Sequence, residues 1–404
     1  MTTTTSTPGA APPRSAADPI GWLRKNLFST WYNIIFTILA LWLIGSLLLS
    51  TLTWAFRQAD WQVVLSNLRL LMVGTYPADQ LWRPWLCVAL AATLLGMSWG
   101  LWPAIVRSVA IAYATALLFL ALLPVSVPSR VALVVSAALV VAGMVVANRL
   151  IAGREEGAGR VGRWVAGGWL ALLPLVLLLL RGTGIVLPII QTNQWGGLLL
   201  TLVLAIVGIV FSFPLGVLLA IGRRSELPVV RLVCTAYIEL IRGVPLITVL
   251  FLMQIMLPLF IPGGESLDSV VRAMIGFTLF TAAYVAENVR GGLQAIPHGQ
   301  EEAARVLGLN PLLTMGMIVL PQALRIVIPA NVSQFISLYK DTSLVAIAGL
   351  LDLLGIARSV LAQTEFLGRQ SEVLLFVAVT YWVFAYTLTF VSQRLEEALR
   401  VGQR

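Results

Sequence analysis

The chain has 404 residues, of which 59% are hydrophobic and 11% are charged, and its formal net charge is +9. Soluble domains carry about 25% charged residues, so the composition excludes a soluble protein and predicts an all-α integral membrane protein. The positive charge does not indicate nucleic-acid binding, because the arginines collect in short loops between apolar stretches, as in the cytoplasmic loops of membrane proteins.

Residues 1–30 are predicted to form a disordered cytoplasmic tail. Residues 1–19 are rich in Thr, Ala and Pro and cannot bury an apolar face. They lack the charged segment and short apolar core of a cleaved signal peptide. Arg24 and Lys25 precede the first apolar stretch and favour a cytoplasmic N-terminus.

Apolar stretches of about 20 residues, the length that crosses a bilayer as a helix, predict ten membrane spans. The stretches begin near Trp31, Trp85, Ile105, Val131, Trp164, Trp195, Val233, Val270, Ala323 and Val373. Residues 31–185 then form five accessory helices, residues 195–393 a five-helix core, and residues 394–404 a cytoplasmic tail. With the N-terminus inside, most arginines fall in cytoplasmic loops, whereas Arg83 and Arg130 are among the fewer assigned to the outer side.

The two halves differ in polarity, which predicts that the C-terminal half carries the function. Gly, Pro and ionisable residues enter its apolar stretches, and broken helices are tolerated in a membrane only inside protein or along a cavity. Three clusters stand out: YIELIRG with Glu239 and Arg242, AENVR with Glu287 and Arg290, and LYKDTS with Lys340, Asp341 and Thr342. Glu239 and Arg242 are three residues apart, so they can pair on one helical face, and the AENVR pair has the same spacing.

Each cluster has two interpretations. The acid–base pairs either neutralise each other where helices meet, or they line the route of a substrate, because charges at membrane depth are costly and usually face the bundle interior. The candidate pathway residues are Glu239, Arg242, Lys340, Asp341 and Thr342. Contact with a substrate is left open by the sequence.

A polar segment, residues 297–310, separates the eighth and ninth predicted spans and is predicted to be a short cytoplasmic helix. Pro297 suits its first turn, and Glu301 and Glu302 place negative charge near the positive end of the helix dipole. Gly308 is predicted to end the helix in the left-handed conformation.

Three residues of this helix, Ala303, Ala304 and Leu307, are predicted to share one face that fits a groove on a partner. The motif positions in and after the helix are Glu302, Ala303, Ala304, Gly308, Ile318 and Pro321. At these spacings they resemble the EAA motif of bacterial ABC importer permeases. In that family the segment is the coupling helix, which docks onto a separate ATPase subunit.

Longer stretches extend the resemblance over roughly residues 195–393. They are IRGVPL, AAYVAENVRGGLQAI, LPQALR and LYKDTSLV, and they resemble the polar amino acid branch of ABC permeases, of the histidine, glutamine and general L-amino acid type. The N-terminal spans are similar to those of the long general L-amino acid permeases. Val244 departs from the family pattern, since many relatives carry threonine there.

The resemblance implies a C-terminal type I ABC importer core and amino acid import across the bacterial inner membrane. The partners it implies are an ABC ATPase, a second permease and an extracytoplasmic amino-acid-binding protein. For the second permease a related chain is favoured over another copy of this one, and the sequence leaves the choice open. The sequence has no Gly-rich phosphate loop and no acidic metal cluster, so no catalytic site, cofactor or metal is predicted and ATP is hydrolysed elsewhere. Cys87 and Cys234 lie in apolar stretches and predict buried thiols.

Two other functions are compatible with parts of the pattern. Ten spans in two sets of five would suit a secondary amino acid transporter built from a repeat, although the clusters of the second half have no counterpart in the first. A membrane scaffold or sensor without transport would leave the intramembrane charges unexplained.

Overall fold

A computed structural model describes residues 19–152, 157–260 and 267–400, and the predicted disorder of residues 1–18 lies outside this range. All regular structure in the described residues is helical, apart from one isolated bridge between Gly197 and Asp352. The chain divides into two compact units, Met1–Trp61 and Gln62–Arg404.

The first unit contains α1 (Pro19–Asn26) and α2 (Trp31–Thr53), which continues as a π-helical turn over Trp54–Gln58. The predicted disordered tail, residues 1–30, is therefore wrong from residue 19 onward. The connection between the two helices is ordered because the Thr37 hydroxyl of α2 donates to the Leu27 carbonyl at 2.9 Å.

The second unit begins with accessory helices. They are α3 (Gln62–Ser66), α4 (Leu68–Val73), α5 (Trp82–Leu101), α6 (Pro103–Leu122), α7 (Val127–Ile151) and α8 (Gly157–Arg181). Helices α5 and α7 cross at very short range. A Cβ on Gly96 would lie 2.1 Å from the Val140 carbonyl oxygen, and one on Gly143 would lie 2.5 Å from the Thr93 carbonyl oxygen. Small residues therefore bring the two backbones together, as is usual for helix pairs in membranes.

The core follows in the same unit. Its helices are α9 (Gly197–Arg223), α10 (Pro228–Arg242), α11 (Leu246–Phe251), α12 (Leu257–Phe260), α13 (Ser269–Gln294), α14 (His298–Val306), α15 (Pro311–Leu313), α16 (Leu320–Asp341), α17 (Leu353–Leu361) and α18 (Gln370–Arg400). Short 3-10 turns lie at Ala78–Gln80, Thr192–Gln194, Thr342–Ala348 and Thr364–Phe366, and π-helical turns at Leu252–Met256 and Thr314–Val319. Helix α18 continues through most of the segment predicted as a C-terminal tail, and residues 401–404 lie outside the described residues.

Every predicted span overlaps a helix, but the helices differ in length and one of them is broken. Eight helical segments in the described residues are long and apolar enough to cross a membrane, and a bent pair makes a ninth. The predicted third span is α6, whose apolar part, Val106–Leu122, is shorter than the others. The structure thus has the all-α, multi-span fold that was predicted.

The predicted seventh span is broken rather than straight. Helix α10 and the segment Leu246–Phe260 meet at an angle of 109°. Gly243 caps α10, and Pro245 cannot donate a backbone hydrogen bond that would carry the helix on. The bend turns Glu239 and Arg242, at the end of α10, toward neighbouring helices.

Helix α13 lies at the centre of the core, and more than half of its apolar segment is buried. It packs between α9 and α16 through glycines. A Cβ on Gly216 of α9 would lie 2.6 Å from the Val285 side chain of α13. A Cβ on Gly292 of α13 would lie 2.4 Å from the Val327 side chain of α16. This tight stack fixes the polar ends of the three helices relative to one another.

Arg83 joins the accessory helices to the loop before the core. It is fully buried in the first turn of α5, not in an exposed outer loop as the topology predicted. Its guanidinium donates to the carbonyl oxygens of Leu179 at 3.4 Å and Pro188 at 3.1 Å, and the Tyr76 hydroxyl donates to Leu180 at 2.9 Å. A cation is favoured there because the Leu179 carbonyl belongs to the negative, C-terminal end of α8.

Candidate functional site

The predicted cytoplasmic helix forms as α14. Its N-cap is Pro297, whose backbone is extended with φ −60° and ψ 135°, so Pro297 precedes the first turn rather than lying inside it. The Pro297 carbonyl accepts the Gln300 N–H at 3.0 Å. Glu301 lies in the first turn, as predicted, and pairs with Arg224 across 3.3 Å, while Glu302 is exposed.

Gly308 ends this helix in the left-handed conformation that the sequence predicts, with φ +80°. Its N–H donates to the Arg305 carbonyl at 2.9 Å, and the Leu309 N–H donates to the Ala304 carbonyl at 3.1 Å. This pair of hydrogen bonds is a Schellman motif, which satisfies the last carbonyls of the helix. Asn310 then accepts the Leu313 N–H at 2.8 Å and starts α15.

The predicted apolar face of α14 is partly wrong. Ala304 is only 3% exposed and packs inward, whereas Ala303 is exposed. Val306 is 88% exposed and Leu307 is 79% exposed, on the same side as Ala303. We call these three residues the apolar face of α14. Sequence reasoning missed Val306, although its spacing of three from Ala303 was the available signal.

The remaining motif positions lie at the start of the next long helix. Ile318 is half-buried in the π-helical turn, and its carbonyl accepts the Gln322 side chain at 2.8 Å. Pro321 is exposed in the first turn of α16. Because Pro321 has no N–H to donate, the helical hydrogen-bond ladder changes register at this point. Helix α14 packs against the π-helical turn.

A network of charges lies where α9, α10 and α13 meet. Glu287 of α13 accepts from Arg290 Nε at 3.0 Å, and its Oε2 lies 3.4 Å from Arg223 and 3.6 Å from Arg242. The predicted pairing of Glu287 with Arg290 is therefore present. Arg223 also pairs with Glu239, so the network holds two carboxylates and three guanidinium groups and has one net positive charge.

The pair that the spacing of Glu239 and Arg242 allows is not present, because both residues have other partners. Glu239 pairs with Arg223 of α9 at 2.8 Å, and Arg242 turns toward α13, where its guanidinium lies 5.7 Å from the centre of the Tyr284 ring. The reason is that helices α9 and α13 offer each side chain a partner across the contact. Arg242 Nε is buried and finds no hydrogen-bond acceptor among the described residues.

The third cluster remains apart from this network. Helix α16 ends at Asp341, and the Thr342 hydroxyl donates to the Tyr339 carbonyl at 2.7 Å. Lys340 is exposed, Asp341 is half-buried and Thr342 is buried. Among the described residues no ion pair joins Lys340 to Asp341, and none joins either residue to the Glu287 network.

Sequence reasoning missed a buried aspartate, Asp352, which caps the N-terminus of the short helix α17. Asp352 is fully buried and accepts from Gly355 N at 2.9 Å, Leu354 N at 3.2 Å and the Tyr381 hydroxyl at 2.9 Å. The Leu353 N–H donates to the Thr201 hydroxyl of α9 at 3.1 Å. Burial raises the pKa of the Asp352 carboxyl, and the three hydrogen bonds oppose that shift. The signal was an aspartate at an N-cap position.

Comparisons with known proteins all find permease components of transport systems. Residues 212–401 match the family model described as "Binding-protein-dependent transport system inner membrane component". The chain is 38% identical over 413 residues to the inner membrane amino-acid ABC transporter permease protein YhdY of Escherichia coli (strain K12), covering 97% of each chain.

Two further likenesses differ in how much of the chain they cover. The glutamate/glutamine/aspartate/asparagine transport system permease protein BztC of Rhodobacter capsulatus is 36% identical and covers 97% of this chain and 96% of its own. A crystal structure of an amino acid ABC transporter with histidines is 31% identical, with a TM-score of 0.45, and covers 50% of this chain and 92% of that one.

Proposed function

The chain belongs to the binding-protein-dependent transport system inner membrane component family, and from this premise we propose that its α14 segment docks onto a separate ATPase while its core carries an amino acid inward. Permeases of this family are multi-pass subunits of the inner membrane that work with an ATPase and a binding protein and do not hydrolyse ATP themselves. The secondary-transporter alternative is not favoured by the family assignment.

The observation that carries the coupling proposal is the exposed apolar face of α14. Apolar side chains as exposed as Val306 and Leu307, on a short helix beside polar residues, are typical of a surface that a partner covers. The helix is also held rigidly behind that face. Ala304 packs inward, the Schellman motif closes one end, and Arg224 holds Glu301 at the other. A preformed helix loses little entropy when it enters a groove.

The proposed docking surface extends beyond the helix to Leu312, which is 84% exposed in the next turn. The motif residues Glu302, Ala303 and Gly308 border the same surface. Ile318 and Pro321 contribute indirectly. They lie in the π-helical turn and at the start of α16, and α14 packs against this π-helical turn. Movement of the ATPase groove would therefore pass to α16 through this turn.

For the pathway, we propose that Glu239 and Arg242 belong to a charged gate at the ends of α9, α10 and α13. Arg242 has a buried Nε without an acceptor in the described residues, so its N–H could donate to an anionic group that reaches it when the surrounding helices move. An amino acid carboxylate is such a group. Lys340, Asp341 and Thr342 are proposed to contribute at the break after α16, since broken helices at membrane depth line cavities.

The proposed assembly contains a second permease that is a related chain, and an extracytoplasmic amino-acid-binding protein. The experiment is reconstitution of the permease with its candidate partners in proteoliposomes. Uptake should require ATP and the binding protein and should persist when ion gradients are collapsed. Uptake that follows an ion gradient without ATP would instead support a secondary transporter.

A further inference from the structure

We propose that a phospholipid binds between α6 and α7, with its phosphate on Arg130 and one acyl chain along the groove between the two helices. The groove has a volume of about 490 Å³. It is lined by Thr115, Leu118, Phe119, Ala121, Leu122, Arg130 and Val134. It lies in the accessory region and shares no residue with the coupling surface or the charge network.

The walls of the groove are mainly apolar, so they suit a hydrocarbon chain. Thr115, Leu118, Phe119 and Leu122 are spaced by three or four residues and so form one strip along α6. Arg130 and Val134 face them from α7, one turn apart. Phe119 is 63% exposed and Leu122 is 81% exposed, and α7 is a candidate membrane span. The groove therefore opens toward lipid rather than toward water.

Arg130 supplies the polar end of this site. The guanidinium has no hydrogen bond or ion pair among the described residues, and the residue is exposed. An unpaired cation near the hydrocarbon is costly, whereas a phosphate can take two parallel hydrogen bonds from a guanidinium. The site thus carries one positive charge at the end of an apolar channel, which is complementary to a phospholipid.

The start of α7 adds to the same attraction. Arg130 lies in the first turn of α7, where backbone N–H groups carry partial positive charge. Ser126, the N-cap residue, makes no capping hydrogen bond and instead lies 2.9 Å from the Ser129 hydroxyl. Pro128 has no N–H and the Arg130 N–H donates to the Ser126 carbonyl, so the N–H groups of Val127 and Ser129 are the ones available to a phosphate oxygen. The helix end alone would not define a site, but here it lies beside an apolar groove.

A lipid in this position would support the contact between the accessory region and the core. Helix α6 packs against α7 on one side and against α18 of the core on another. Filling the groove adds apolar contacts to the α6–α7 pair, because a groove without an occupant lacks partner atoms on one side. This gives the accessory helices a function that does not depend on the transport cycle.

The test uses native mass spectrometry of the assembled transporter in detergent, titrated with dioleoyl phosphatidylglycerol. Arg130→Gln removes the charge and should weaken binding of one lipid about fivefold, the effect of about 1 kcal/mol per basic residue at a membrane surface. Val134→Trp keeps the charge but fills the groove, and it should remove the same lipid. Arg149→Gln, at the other end of α7, removes equal charge and should leave the lipid count unchanged.

Each contrary outcome rejects the site. Equal lipid binding by wild type and Arg130→Gln would show that the guanidinium is not the headgroup partner. Full binding by Val134→Trp would show adsorption of charge on the surface without an acyl chain in the groove. Displacement of the lipid by glycerol 3-phosphate at equal concentration would show that a phosphate alone suffices. Absence of the lipid from the wild type, with a protein copy seated there instead, would assign the groove to protein contact.

Discussion

Arg224 Nη2 lies 3.3 Å from Glu301 Oε1 and joins the residue after α9 to the first turn of α14. Among the described residues this is the ion pair that links the exposed apolar helix directly to a core helix. Helix α9 also contributes Arg223 to the Glu287 network one residue earlier. Two successive arginines therefore connect the proposed docking surface to the charges of the core, so we expect a movement of α14 to be transmitted to the core through both.

We expect Arg224→Gln to uncouple rather than unfold the protein. Both partners are partly exposed, so the pair contributes about 1 kcal/mol or less to stability. Uptake per ATP hydrolysed should fall in proteoliposomes, while expression and ATPase association stay near wild type. The charge-reversed double variant Arg224→Glu with Glu301→Arg should regain part of the lost uptake. Arg231→Gln, an exposed arginine at the start of α10, is the matched control.

If Arg224→Gln and Arg231→Gln behave alike, the Arg224–Glu301 pair has no part in coupling. A failure of the double variant to recover would have the same meaning, provided that it assembles with the ATPase.

Val306→Glu should weaken assembly with the ATPase. The side chain is 88% exposed, so the isolated permease tolerates the charge, but a carboxylate inside an apolar groove is costly to desolvate. The affinity for the ATPase should fall at least tenfold, which corresponds to about 1.4 kcal/mol, as measured by co-purification. Leu227→Glu is the control, because Leu227 is also an exposed apolar residue but lies between α9 and α10. Co-purification of Val306→Glu at the wild-type level would remove this face from the interface.

Local features of residues 297–310 could be predicted from sequence, because they depend on nearby residues. Gly308 ends α14 as expected, since the left-handed conformation excludes most other residues and Asn310-Pro311 follows directly. The face of α14 could not be predicted in the same way. Ala303 and Ala304 are equally apolar, and only the packing against residues 314–319 decides that Ala304 turns inward.

Contacts between helices could not be predicted from the sequence, because they depend on residues that are distant in the chain. Spacing within α10 allows Glu239 to pair with Arg242, but the 109° bend and the crossing of α9 and α13 supply other partners. Arg83 was likewise placed in an outer loop by charge counting. Its burial depends on the Leu179 carbonyl at the end of α8 and the Pro188 carbonyl in the segment that follows, roughly 100 residues away in the chain.

Glu287→Gln should destabilise the core more than Glu239→Gln. Glu287 contacts three guanidinium groups and is mostly buried, whereas Glu239 contacts Arg223 alone and is half exposed. Losing the central carboxylate leaves those cations repelling one another, at a cost of about 1–2 kcal/mol. Thermal unfolding of the purified permease should show the difference, and added salt should reduce it. Equal melting temperatures for the two variants would contradict a network centred on Glu287.

Asp341→Asn should impair uptake without loss of stability. A carboxylate at the C-terminal end of α16 is disfavoured by the helix dipole, so its removal costs the fold little. The amide retains the size of the side chain but not its charge. Initial uptake rates in proteoliposomes should fall severalfold, with normal yield of the complex. Glu365→Gln makes the same change at an exposed position and should transport normally; normal uptake by Asp341→Asn as well would exclude Asp341 from the pathway.

Gly308→Asp should weaken ATPase docking through the backbone. A Cβ at Gly308 meets no atom of this chain within 4 Å, so the substitution causes no internal clash. Its cost is the left-handed conformation, about 1–2 kcal/mol for a residue other than glycine, and the helix end should shift to relieve it. Gly299→Asp is the matched control, because Gly299 also faces open space but has an ordinary backbone. Co-purification of the ATPase and stimulated ATP hydrolysis should both fall for Gly308→Asp and stay normal for Gly299→Asp. If the two variants retain both properties equally, the Schellman motif does not position the docking surface, and coupling must use another part of the chain.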